Sequence, residues 1–211
     1  MKTLILSAIT TSTLSASAMG GLVDGSFENN DVYYGYGFIQ GGIDTTWLTT
    51  APDNLIEIWG EYMEVPAYDG TRCAELNANY ASTLYQNVAS VGIGSAVNWH
   101  FAHHGRYGLD TMRLTITDLG ADQTWGGGDD TTLFTNEYSA DNAAWVVNYG
   151  TVTSVGNAMR FAFEAVNAVG GNTQGNLIDW CDFGSEVVIP APGAFGILGL
   201  AAMIGCNRRR R

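Results

Sequence analysis

Three histidines, His100, His103 and His104, fall within five positions, with Arg106 and Asp110 close behind. Two imidazoles and a carboxylate make a zinc donor set. The spacing argues against one. On an extended segment His100 and His103 face opposite ways, and the helical H-E-x-x-H pattern that sets a general base between two ligands is absent. The same residues suit a polar turn at a strand end. There His103, His104, Arg106 and Asp110 either hold the loop in shape or offer hydrogen bonds to a ligand.

Sugar recognition asks for an exposed ring, on which an apolar sugar face stacks, and a few planar hydrogen-bonding groups. Tyr33, Tyr34 and Tyr36 lie in a glycine-rich segment, 31–42, and Trp125 precedes Gly126, Gly127 and Gly128. These are the aromatics least suited to a core, whereas Trp99 and Trp145 sit in strand patterns and are expected inside. The ligand-binding set expected from these features is Tyr34, Tyr36, His103, Arg106, Asp110 and Trp125. Signatures of catalysis are missing: there is no G-x-S-x-G, Walker or Cys-His pattern. Asp129 with Asp130, and Glu61 with Glu64, are neighbours that an acidic surface produces by chance. The expectation is a protein that binds without catalysing.

Strands must position these groups. No window keeps apolar residues at helical spacing for three turns. Strand signals recur instead over 55–59, 71–78, 82–88, 96–103, 111–119, 143–152, 158–166 and 176–188. Met112, Leu114 and Ile116 alternate with Arg113, Thr115 and Thr117, and Met159, Phe161 and Phe163 with Arg160, Ala162 and Glu164. That is the pattern of a strand with one face buried and the other wet. Many short strands divided by Gly, Asn and Asp turns predict one all-β domain over 19–189, a β-sandwich or jelly roll.

The order of short motifs resembles galactose-binding-like jelly-roll domains of the kind found in plant cell-wall proteins and bacterial carbohydrate-binding modules. The motifs are Val23-Asp24-Gly25-Ser26-Phe27-Glu28, Ala74-Glu75-Leu76-Asn77 with Leu84-Tyr85-Gln86, Trp99 to Arg106, and Gly175-Asn176-Leu177-Ile178-Asp179. The resemblance implies a non-catalytic partner of extracellular polysaccharide. It also implies a structural Ca²⁺ joining the N-terminal segment to the last strand, with Glu28 and Asp179 at the matching positions. Without the ion, Glu28 is a solvated strand residue and Asp179 a turn cap. The rival reading is a structural matrix or adhesion protein with no specific glycan site. A jelly-roll hydrolase would need two carboxylates converging in a cleft.

The two ends read as addresses. Lys2, the apolar run 4–9 and Ala16-Ser17-Ala18 describe a secretory signal peptide over 1–18. At the other end come Pro190-Ala191-Pro192, the uncharged stretch 194–206 and then Arg208, Arg209, Arg210 and Arg211. Those 13 residues rise roughly 20 Å as a helix, against a hydrocarbon core of about 30 Å. The arginines keep that end cytoplasmic. This segment resembles a PEP-CTERM sorting tail, with alanine where the family name has glutamate. The resemblance implies transient membrane insertion, an exosortase-type processing partner, and release to the cell surface or matrix.

Composition follows from those addresses. The chain carries −12 overall, but 19–189 hold four arginines, no lysine and all 21 acidic residues, a net of −17. Such a surface repels phosphate, which excludes nucleic-acid binding by the body. Cys73 and Cys181 face an oxidising compartment, where a disulfide is the expectation and two buried thiols the alternative.

Overall fold

The computed structural model describes residues 21–184, so the segments expected to be a signal peptide and a sorting tail lie outside the described residues. Among the described residues eleven strands build two antiparallel sheets. Sheet one runs β1 (Tyr36–Gln40), β3 (Leu55–Trp59), β4 (Cys73–Glu75), β11 (Leu177–Gly184), β6 (Ala96–His104), β9 (Val146–Thr153). Sheet two runs β2 (Leu48–Thr49), β5 (Thr83–Ala89), β10 (Ala158–Asn167), β7 (Asp110–Asp118), β8 (Thr131–Ala140). A 3-10 turn, Gly171–Thr173, precedes β11.

Alternation places the core as expected. Met112, Leu114, Ile116, Met159, Phe161 and Phe163 are buried and meet Ile56, Ile58, Ala74, Trp99, Phe101, Ile178 and Phe183 of the other sheet. Their alternates on β7 and β10 make the outer surface of sheet two. A second, smaller cluster of Trp59, Val65, Cys73 and Leu177 lies apart from the main core. Alternation along β3 sets Trp59 and Glu57 on the side of sheet one away from Ile56 and Ile58, and the 60–72 loop covers them there.

This two-sidedness corrects the disulfide expectation. Cys73 belongs to the outer cluster of sheet one and Cys181 to the core between the sheets, and both are free and buried. A β-bulge between Asp179 and Asp182 causes the difference, with Trp180 at φ 50°. It turns Cys181 inward, and the Cys181 amide donates to the Gly25 carbonyl at 2.9 Å. Thiols on opposite faces of one sheet cannot bond without rebuilding it.

Candidate functional site

On the outer face of sheet two, β10 presents Arg160, Ala162 and Glu164. Ala162 is paired with Tyr85 on one side and Thr115 on the other. The small alanine keeps the floor low between them. Arg160 lies over the Tyr85 ring at 3.8 Å and over the Trp125 ring at 4.4 Å, so its guanidinium joins the two rings. Its Nε donates to Asn87 Oδ1 at 3.0 Å. Thr50, Thr83, Thr115, Thr117 and Glu164 complete a cavity of about 220 Å³.

Trp125 reaches this face because a tight loop holds it there. Asp122 accepts from the Thr124 amide, Asp129 from the Ala121 amide and Asp130 from the Gly126 amide, at 2.7–2.8 Å. Gly126 and Gly128 have φ of 91° and 92°, which a side chain would disfavour. The loop leaves the indole 50% exposed.

A second groove, of about 460 Å³, lies on sheet one. Tyr36 and Phe38, 61% and 40% exposed, form its aromatic side. Glu57, Glu64 and Arg106 also line it, with Asn79 and Gln174. Arg106 is clamped: Nη1 donates to both oxygens of Glu75, Nε and Nη2 donate to Glu64, and the guanidinium lies 4.5 Å over Trp59. Glu57 is the register partner of Glu75, and its Oε1 accepts from the Trp59 indole at 2.9 Å. Burial, reinforced by the neighbouring Glu57 charge, pushes Glu75 up to about 8. Burial also raises Glu57. The pair therefore retains a proton near neutrality.

Of the expected ligand-binding residues, Tyr36 and Arg106 share this groove. Tyr34 is exposed beside it, stacked on Tyr62 at 5.5 Å, and Trp125 belongs to the other sheet. His103 and Asp110 must be corrected, because neither has any exposed surface with which to meet a ligand. His103 Nε2 donates to Asn176 Oδ1 at 3.0 Å, and burial holds its pKa down at about 4. Asp110 accepts from the backbone amides of Arg106, Val169 and Asn176. The polar turn exists, and it shapes the loop that carries Arg106. Tyr85, Arg160, Phe38, Glu57 and Glu75 were missing from the expected set. Arg160 gives a signal as an outward position in an alternating strand, and Tyr85 and Glu75 only as members of the motifs that carry the family resemblance.

Glu28 and Asp179 do join the N-terminal segment to the end of the sheet, but through hydrogen bonds. Glu28 Oε1 accepts from the Thr71 and Arg72 amides, and Oε2 from Thr71 Oγ1 and Arg72 Nη1. Arg72 also donates to the carbonyls of Glu28 and Val32. Asp179 accepts from the Tyr68, Asp69 and Trp180 amides. The guanidinium takes the carboxylate and carbonyl oxygens that a calcium ion would need. Among the described residues no group of three or more His, Cys, Asp or Glu gathers to hold a metal. The Glu28 and Asp179 pair does not fit a calcium site.

With this geometry in hand, comparison with solved structures defines the architecture. One likeness is TmCBM61 in complex with β-1,4-galactotriose, at 12% identity and TM-score 0.50, over 81% of this chain and 100% of that one. Another is the CBM22-1 xylan-binding domain from Paenibacillus barcinonensis Xyn10C, at 15% identity and TM-score 0.50, over 82% and 99%. The N-terminal CBM22-1-CBM22-2 tandem domain of that protein aligns at 16% identity and TM-score 0.51, over 85% of this chain and 50% of the tandem. The fold is thus the all-β jelly-roll sandwich of carbohydrate-binding modules. No protein-family model and no curated protein matches the chain.

Proposed function

We propose that this protein is a secreted, non-catalytic glycan-binding protein, and that the cleft of sheet two contacts extracellular polysaccharide. The observation that carries this reading is the Tyr85–Arg160–Trp125 stack beside a row of threonines. Its rings offer apolar faces to a pyranose, while Arg160, Glu164 and the threonine hydroxyls offer paired donors and acceptors to sugar hydroxyls. The fold shared with a xylan-binding domain and with a module in complex with β-1,4-galactotriose supports the same reading. In this proposal the Pro190-Ala191-Pro192 segment and the terminal arginines serve an exosortase-type enzyme, which releases the domain to the surface or matrix.

A glycan array followed by titration of the best neutral oligosaccharide tests the proposal. Trp125→Ala should weaken binding by tenfold or more, about 1.4 kcal/mol, with the thermal midpoint unchanged because the indole is half exposed. Binding that survives both Trp125→Ala and Arg160→Ala, or an array with no retained sugar, would refute it.

A further inference from the structure

We propose that the groove flanked by Tyr36 and Phe38 is a second binding site, for a sugar bearing a primary ammonium group, a deacetylated hexosamine unit. It is separate from the cleft of sheet two and does not depend on that cleft binding anything.

The ring wall supplies the sugar half of this inference. Tyr36 and Phe38 project two residues apart from β1, with ring centroids 6.0 Å apart and planes at 86°. Exposed rings at the mouth of a groove suit the apolar face of a pyranose, and the side-chain amides of Asn79 and Gln174 reach its hydroxyls.

The charges supply the ammonium half. Glu57 and Glu64 line the groove, and Arg106 is the one cation in its lining. That guanidinium is already spent on Glu75 and Glu64 and packed on Trp59. Carboxyls therefore outnumber cations, and the domain has no lysine of its own to offer. Arg106 holds Glu64 through Oε1 alone, so Glu64 Oε2, on a side chain 47% exposed, faces solvent as the first contact. Behind it the proton retained by Glu57 and Glu75 is what an entering ammonium replaces, the proton leaving to solvent. The ring wall and amide rim set this groove apart from a bare cluster of surface carboxylates.

Calorimetric titration with a glucosamine hexasaccharide and with its N-acetylated counterpart decides the matter. The amine form should bind about tenfold tighter, the effect of one charge-assisted pair. Glu64→Gln and Tyr36→Ala, both at exposed side chains, should each lose that factor. Asp182→Asn, the same charge change at an exposed residue of β11, should not. Trp125→Ala should leave amine binding intact, so failure of the neutral-glycan reading and failure of this one are separately visible. Equal affinity for the acetylated oligomer overturns the proposal. So does equal loss in Asp182→Asn and Glu64→Gln, or a lysine hexapeptide binding as tightly as the amino sugar.

Discussion

Glu75→Gln should flatten the pH dependence of stability. The Glu75 side chain has no exposed surface, and its carboxyl is held up to about 8 against an ordinary value of 4.5. The folded state thus keeps a proton that the unfolded chain has released. For a raised carboxyl this means stability that is full below the unfolded pKa and is lost as pH rises toward the folded one. One retained proton is worth about 1.4 kcal/mol per pH unit, so two units inside that window cost the wild type about 2.7 kcal/mol. For a domain of this size that is a fall of roughly 5–10 °C in midpoint. Groups away from the pair titrate alike in both proteins, including His103, whose lowered pKa costs stability as pH falls below the ordinary histidine range. The difference between the two slopes therefore isolates the coupled Glu57 and Glu75 pair. Urea denaturation of both proteins across mildly acidic to mildly alkaline buffers measures it. Parallel profiles would refute the shared-proton account of Glu57 and Glu75.

Chelator should leave the thermal midpoint unchanged, because Arg72 already supplies the cation at Glu28; a rise with added Ca²⁺ would overturn that reading. Arg72→Met should cost about 1–3 kcal/mol in denaturant titration, by leaving Glu28 and two carbonyls without their donor. Cys73 and Cys181 should resist alkylation in the folded chain and both react on unfolding without reductant, as read by mass spectrometry. Gly150→Ala should cost about 1–3 kcal/mol by calorimetry, since its Cβ would run into the Trp99 ring.

The strands that were legible in the sequence are those that alternate in polarity or run apolar throughout. β5, β7 and β10 match their expected bounds within a residue or two because they alternate between a buried and a wetter face, whereas β3, matched at its observed bounds, and β6, matched within one residue, are buried on both faces and read as apolar runs. β8 escaped notice because it is a sheet edge, with most of its residues exposed and little alternation to read. β1 escaped because its glycines and exposed aromatics read as loop. Only Ile39 of that strand is buried, while Tyr36 and Phe38 stand in solvent. The bulge at Trp180 was equally hidden, and with it the parity that separates the two cysteines.

Site residues were legible one at a time and illegible as sets. Tyr36, Arg106 and Trp125 were singled out by type and context, yet Trp125 and Tyr36 belong to different sheets, which no local pattern reveals. Glu57 and Glu75 meet through strand register across 18 positions, and their shared proton exists only after folding. The four arginines of the described residues show what register adds. Arg72, Arg106 and Arg113 each bond to glutamates. Arg160 makes no ion pair among the described residues and is held by two rings and an asparagine. In a domain with 20 acidic residues between 21 and 184, a cation left without a carboxylate partner forgoes an interaction that is plentiful all around it. Its Nε is spent on Asn87, and its guanidinium stands in the cleft of sheet two where aromatic faces and threonine hydroxyls converge, the arrangement that the proposed glycan contact would use.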